Sequence, residues 1–477
     1  MANLKNTVIT GTSNIKIPIG NSSQRPSSPQ NSMVRQNNQA NRLEQYETTK
    51  WESQLPNWTS PIINLDISSG VEFVYNVRTE STGTTTYSVV SGSLPDGLSL
   101  NGSTGAITGT PSAVTYNTTY NFTIRSTDTQ SFKDQNFSVT VYTPIEATGG
   151  NVVYDHPAND GTWRVHAFTG SGTFTVNSIG SMPTVQVLIV AGGGSGASTM
   201  RQHKGGGGGA GGLVFYPNVT VTDNDTEYTI TVGAGGAGLP DSQDEGVSEG
   251  NPGQNSSAFG ITALGGGRGG QLDSEEGSND GGSGGGGHYG LSGGTATQPT
   301  AGRLAGSPFG FGKPGGGGGT NRGYGGGGAG APGANAEVDP ADGTVQGGRY
   351  SGGIGLAAAT INSVTYNFAR CFGIRYKNSV EDNDPEFGEI VNDQLYFAGG
   401  GGGGENNTGD STYGAGGWGG GGRGAFANQG DSTGPWGEGS SRGEGGRPAT
   451  GGGGGGARGG ATDPGGSGVV LVRYRIQ

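Results

Sequence analysis

Hydrophobic and polar positions alternate with a period of two in five stretches: VEFVYNV (71–77), TTYSVVSG (85–92), LSLN (98–101), YNFTIRS (120–126) and NFSVTVY (136–142). A period of two sends successive side chains to opposite faces, the mark of half-buried strands. Turn residues separate them: LPDG at 94–97, NGSTG at 101–105 and GTP at 109–111. Short strands at such spacing predict a β-sandwich over residues 57–145. Upstream, TVITGTSNIKIPI (7–19) is rich in β-branched residues and reads as one or two strands. Met33–Arg35 and Leu43–Tyr46, the latter ending near Trp51, read as a hairpin within a module of residues 1–56. That module has too little apolar surface to stand alone, so it needs identical copies or a docking partner.

Past residue 145 the pattern changes. VVYDH, WRVHAFTGSGTFTV and PTVQVLIVA still read as strands across a connecting segment (146–184) and beyond it, and Val185–Ala191 is the most apolar run of the chain. GLVFY (212–216), EYTITVGAGGAG (227–238) and the closing GGSGVVLVRYRIQ (465–477) add more strands. Between them periodicity disappears into glycine: of 106 glycines, 95 follow residue 150. Runs of four to six recur at 205–209, 284–287, 315–319, 325–328, 399–404, 419–422 and 451–456. Ordinary strands on both sides make this field an insertion held at its two ends.

A flexible linker would pair glycine with serine and carry few aromatics. Here Tyr289, Phe309, Phe311, Tyr324, Phe372, Tyr376, Tyr396, Phe397, Trp418 and Trp436 punctuate the runs. The alternative is a packed solid of polyglycine-II helices, left-handed with three residues per turn and about 3.1 Å rise. Such a helix has no internal hydrogen bonds, so its backbone groups must pair with neighbouring helices. Only glycine permits that approach, as on the collagen axis. Glycine's entropic penalty, roughly 0.5–1 kcal/mol per residue against alanine, must be offset by a dense lattice of bonds. A six-residue run spans roughly 19 Å, enough to cross a small domain. The fold class predicted is mainly β: a small N-terminal module, an Ig-like sandwich, and a domain at 185–477 of packed polyglycine-II helices flanked by strands, with loops at both ends.

Charge narrows the partners. The net charge is −12 without a long like-charge block, which argues against nucleic-acid binding. The N-terminus lacks the apolar core of a secretory signal, and no run of about 18 apolar residues offers a membrane span. One cysteine, Cys371, excludes an intramolecular disulfide framework. Repeated GxGxxG spacings are expected by chance in this composition, and in GFGKPG (310–315) Pro314 stands where a P-loop needs Ser or Thr. The three Arg-Gly clusters sit in an acidic, aromatic-studded domain and read as packing or loop segments. Cys371 has no histidine signature beside it, and Asp128 has no ligand cluster. The acidic stretches 241–249, 272–280 and 379–389 lack the spacing of a calcium loop. No catalytic constellation, metal site or cofactor is expected, and the chain reads as a non-enzyme.

Three resemblances extend this reading. Arg25, Pro26, Pro29, Met33, Arg35, Asn37, Glu44, Tyr46 and Trp51 follow the pattern of a short module of bacteriophage tail-fibre and virion-appendage proteins, with Ser32 in place of its glycine. That resemblance implies a virion-attachment end that is often trimeric. GSLPDGLSLNGSTGAITGTPS followed by FSVTVY resembles the bacterial Ig-like family, which implies a spacer or a weak surface contact. From VQVLIVAGGGSG through TVGAGGAG and GQNSSAFGITALGGG to GGSGVVLVRY, the chain resembles the glycine-rich domain of phage tail proteins. A related glycine-rich sandwich in some phage tip adhesins contacts the host receptor through variable loops. The departure is an insert, 361–398.

The expectation that follows is a structural virion protein, a tail fibre or adhesin whose loops bind a host surface glycan or outer-membrane protein. A capsid fibre or decoration protein and a host-glycan depolymerase are the alternatives. Aromatics in loops stack on sugars and pack at low entropic cost, so Tyr289, Phe309, Phe311, Trp418, Phe426 and Trp436 are the candidate contacts; the competing role for each is to cap the glycine solid.

Overall fold

A computed structural model describes residues 19–20, 34–37, 42–47, 50–53, 57–59, 64–80, 84–128, 132–158, 161–199, 204–222, 224–240, 248–271, 279–288, 290–298, 309–318, 322–335, 350–375, 386–404, 414–425, 442–457 and 460–477, with only the backbone described before Trp58. The chain forms two compact units, Met1–Pro144 with Gly180–Met182, and Ile145–Ile179 with Pro183–Gln477.

The first unit opens with a four-stranded sheet. Ile19–Gly20 lies parallel to Val34–Asn37, which pairs antiparallel with Arg42–Glu47, and that strand pairs with Lys50–Ser53. The chain turns back after Glu47, so the single strand expected from Leu43 towards Trp51 is two. Residues 7–18 of the first predicted strands lie outside the described residues. The sandwich follows as predicted. One sheet runs Asn64–Ser68, Phe132–Tyr142, Thr118–Thr127, Thr86–Gly92; the other runs Leu98–Leu100, Ala106–Gly109, Phe73–Asn76. Alternate residues Phe122 and Ile124 turn inward to meet Phe137, Val139, Ile107 and Val77. Phe122 and Phe137 are cross-strand partners with stacked rings 5.8 Å apart.

The second unit is built on a six-stranded antiparallel sheet in the order Val152–Ala158, Gly161–Phe168, Val469–Arg475, Thr184–Val190, Leu213–Thr220, Gly310–Phe311. Its central strands are apolar on both faces because both faces are covered. Leu188, Val190, Leu213, Phe215, Val469 and Leu471 form one core. Val187, Ile189, Val214, Tyr216, Val470, Val472 and Tyr474 form the other, under a three-stranded sheet of Glu146–Thr148, Gly172–Ser178 and Thr226–Ile230. Residues 146–184, expected to be a connecting segment, thus supply strands to both sheets.

The insert covers the first face. With residues 358–360 just before it, it forms two hairpins, Ala358–Ile361 with Val364–Asn367 and Glu389–Val391 with Gln394–Tyr396, and a one-turn helix, Phe368–Phe372. Phe368, Phe372, Phe387, Leu395 and Phe397 are buried against the sheet. A helix of one turn cannot satisfy its own ends. Asn367 Oδ1 caps the first turn by accepting the Arg370 N–H at 3.0 Å. At the other end three sheet side chains meet three consecutive carbonyls. His156 Nε2 lies 2.9 Å from that of Arg370, Arg473 Nη1 donates to that of Cys371 at 2.6 Å, and the Tyr154 hydroxyl donates to that of Phe372. Burial raises the Tyr154 pKa and so keeps the hydroxyl a donor.

Most described glycines of the runs are buried, and the hydrogen bonds of a run repeat every third residue. In Gly205–Gly212 the N–H groups of residues 205, 208 and 211 donate to carbonyls of 457, 454 and 451; those of 206, 209 and 212 to 270, 267 and 264; those of 207 and 210 to 324 and 327. Its carbonyls accept from three further runs: 205 and 208 from 404 and 401; 206, 209 and 212 from 197, 194 and 191; 207 and 210 from 286 and 283. One run therefore has six bonded neighbours, and no bond joins two residues of the run. A Cβ on Gly208 would lie 2.1 Å from the Gly194 carbonyl oxygen, so no other residue fits there. Each bond nets about 0.5–1.5 kcal/mol, the same scale as glycine's penalty of roughly 0.5–1 kcal/mol. Such a solid is stable only when nearly all of its bonds are made.

Candidate binding surface

Three central strands of the sheet continue directly into glycine runs. Thr184–Val190 leads into 191–197, 205–212 leads into Leu213–Thr220, and 460–468 leads into Val469–Arg475. The sheet thus defines one end of the lattice. The other end is fixed by bonds between residues farthest from it: Gly205 to Ala457, Ala457 to Ala197, and Gly404 to Gly205.

Following each run along these bonds locates the interruptions. Gly404 and Gly414, which bound 405–413, both lie at the far end, the latter accepting from Gly424. Ala425 and Arg442 bound 426–441; Ala425 donates to Gly456, and Gly443, next to Arg442, donates to Ala461. Leu239, which reaches Thr462, and Ser248, which pairs with Ser198, flank the acidic 241–247. At the sheet end the described chain makes tight reversals such as Gly417–Gly421, closed by a bond from Gly421 to Gly417. The residues that bound 405–413 and 426–441, the segments carried by the two runs joined at Gly417–Gly421, thus share the far end.

Described residues at this far end are polar and paired. Arg268 meets Glu249 at 2.5 Å, Arg423 meets Glu444 at 3.9 Å, and Arg442 pairs with Asp463. Beneath them Lys204 and His288 are buried, and the Lys204 backbone N–H donates to His288 Nε2 at 3.4 Å.

Three of the six candidate aromatics, Phe309, Phe311 and Trp418, are among the described residues. Phe309 packs edge-on against Tyr216, with ring centroids 4.9 Å apart, and its carbonyl accepts the Phe215 N–H. Phe311 pairs with Leu213 at the sheet edge and packs on the core beneath the insert. Trp418 packs against Tyr396 at 5.4 Å, and its carbonyl accepts from Gly355. These three pack the sheet end. Tyr289, Phe426 and Trp436 lie outside the described residues.

Other residues carry weight that the sequence does not announce. Arg473 is buried; it grips Gln186 Oε1 through Nε and Nη2 at 2.8 and 2.7 Å and sits 4.0 Å over the Trp163 ring. Tyr474 faces the opposite side and stacks on His166. His166 Nδ1 lies 2.7 Å from the Gly149 carbonyl, and Nε2 lies 3.2 Å from the Tyr474 hydroxyl. Burial is the main cause that lowers the His166 pKa and raises that of Tyr474. The ring is then neutral, donating from Nδ1 and accepting at Nε2. Cys371 lies buried in the core beneath the insert. No group of three or more His, Cys, Asp or Glu residues is placed to hold a metal ion among the described residues, and no helix there is long and apolar enough to cross a membrane.

Comparison with known proteins agrees with the two-unit architecture. A family model described as "Putative Ig domain" matches residues 53–142. The search of curated proteins finds no match. Among solved structures, the chain is similar to extracellular domains 3–5 of Drosophila OTK (15% identity, TM-score 0.18, 31% of this chain and 52% of that one). It is similar also to extracellular cadherin domains 3–6 of protocadherin gamma B2 (12% identity, TM-score 0.15, 37% of this chain and 59% of that one). The alignments span little more than half of either structure, and neither speaks to function. The "Glycine-rich domain" model matches residues 168–475, which takes in the six-stranded sheet from Phe168 onward, the lattice and the insert. With well over half of its length so matched, the chain belongs to the glycine-rich domain family.

Proposed function

We propose that this chain is a bacteriophage tail fibre or adhesin, a structural virion protein that does no chemistry. Residues 1–56 attach it to other virion proteins and assemble it as a trimer, the Ig-like sandwich is a spacer, and the glycine-rich domain presents loops to a host surface glycan or outer-membrane protein. The glycine runs are polyglycine-II helices on this reading, which the three-residue repeat of their hydrogen bonds supports. One observation carries the proposal. The residues bounding 405–413 and 426–441 are bonded at the far end of the lattice, whereas the described chain at the sheet end is closed by tight turns and packed aromatics. Connecting chain set on a rigid support is how binding surfaces are commonly built.

The test is an exchange of residues 426–441 for the equivalent segment of a relative with another host, leaving Ala425 and Arg442 in place. Adsorption should follow the donor's host while the melting temperature stays within about 2 °C, as expected for a change away from packed structure. Unchanged adsorption would count against the adhesin reading, and immunogold labelling on the phage head would favour a decoration protein.

A further inference from the structure

The reversal at Gly417–Gly421 joins the two runs that bound residues 405–413 on one side and 426–441 on the other. Gly419 and Gly420 have φ of 99° and 90°, a conformation open to glycine but strained for other residues. Their N–H groups converge on one oxygen: Glu389 Oε2 accepts from Gly419 at 2.5 Å and from Gly420 at 2.8 Å. Successive backbone donors arranged in this way form an anion-binding nest. Here the chain supplies the anion itself, from the second hairpin of the insert. Tyr396, on that hairpin, packs on Trp418 inside the same turn.

The consequence follows from the period of three. Ala415 and Trp418 accept from Gly352 and Gly355, while Gly422 and Ala425 donate to Gly453 and Gly456. Sliding either run by one residue would rotate every donor by a third of a turn, onto a different neighbour. We propose that Glu389 is a positioning residue that sets the phase of the two runs 414–418 and 421–425 and thereby fixes the bases of the two longer far-end segments they carry. The insert so couples the covered sheet face to the opposite end of the lattice. The link to recognition rests on the proposed receptor-binding reading; the phase-setting role does not.

The experiment compares the full chain with Glu389→Ala and Glu389→Gln by amide hydrogen exchange and host-cell adsorption. Glu389→Ala should speed exchange of Gly419 and Gly420 about tenfold or more, the scale expected when bonds to a charged acceptor are lost. The effect should extend through 414–425 and leave 205–212 protected. Added acetate should restore protection in the alanine variant, and Glu389→Gln, which keeps an acceptor, should fall between. Unchanged exchange at 414–425, equal loosening of all runs, or failure of acetate to restore protection would each overturn the phase-setting role. Adsorption should fall in Glu389→Ala and recover with acetate. If the wild-type chain itself does not adsorb to host cells, the receptor reading fails, while the exchange measurements still decide what Glu389 does.

Discussion

The six-stranded sheet and the glycine lattice are continuous along three strands, yet they cohere by opposite means. In the sheet the repeat is two residues, and side chains from Leu188 to Leu471 fill two cores. In the lattice the repeat is three residues, and there are almost no side chains to pack. A sheet core can relax around a lost methyl group because neighbouring side chains shift. The lattice has no such reserve, since each run is bounded by the carbonyls of others. The sheet is therefore the tolerant part of the unit and the lattice the intolerant part.

Substituting one residue in each region should expose this difference. Gly208→Val places a Cβ 2.1 Å from the Gly194 carbonyl oxygen and 2.6 Å from its carbon. The expected loss is roughly 5 kcal/mol or more, at the exceptional end for single substitutions. Leu188→Ala, at a fully buried sheet position, should cost about 2–5 kcal/mol. Chemical denaturation of both variants checks the order. A Gly208→Val chain no less stable than Leu188→Ala would show that the lattice yields, and the contrast would be lost.

Arg473 tests how the two covers of the sheet are secured. On one face of its strand Arg473 bonds Gln186 and the Cys371 carbonyl; on the other Tyr474 stacks on His166. Arg473→Ala should destabilise by about 3 kcal/mol, from loss of several bonds made by a charged donor. Arg473→Lys should recover only part of this, because an ammonium cannot reproduce the planar fork. Exchange of the Phe368–Phe372 amides should rise in both. If it does not, the insert is held by its apolar contacts alone.

Much of this architecture is legible in the chain. Alternation places the sandwich strands, and the apolar 185–191 run and the closing VVLVRY mark the centre of the sheet. Recurring glycine runs broken by aromatics anticipate an ordered solid. What the sequence hides is direction. Gly414 and Ala425 fall at the same end only because the reversal at Gly417–Gly421 sends one run back, and that turn is itself glycine among glycines. The helix at Phe368–Phe372 is too short for a periodic signal and depends on His156, Tyr154 and Arg473, each remote in sequence. Aromatic identity could not separate Phe309, Phe311 and Trp418, which pack the sheet end, from Tyr289, Phe426 and Trp436. Neighbouring glycine runs look alike on both sides of each.

The smallest expected effect belongs to the second face of the sheet. His166 is buried, with both ring nitrogens placed against the Gly149 carbonyl and the Tyr474 hydroxyl, and Phe174 meets its ring edge-on at 5.1 Å. Burial, with a smaller contribution from Arg164, depresses its pKa below the unfolded value of 6.5. The neutral form is then the one the fold prefers. Above pH 6.5 both folded and unfolded chains hold a neutral ring, and the stabilisation is fully present. As pH falls below 6.5 the unfolded chain takes up a proton that the folded chain resists, so stability declines until the folded pKa is reached. His166→Gln, which removes the titration, should flatten that decline between pH 6.5 and the folded pKa. Melting temperatures of the two proteins measured across pH 4.5–7.5 decide it. Parallel curves would mean that the ring is not held neutral by the Gly149 carbonyl, the Tyr474 hydroxyl and the burial that the second cover supplies.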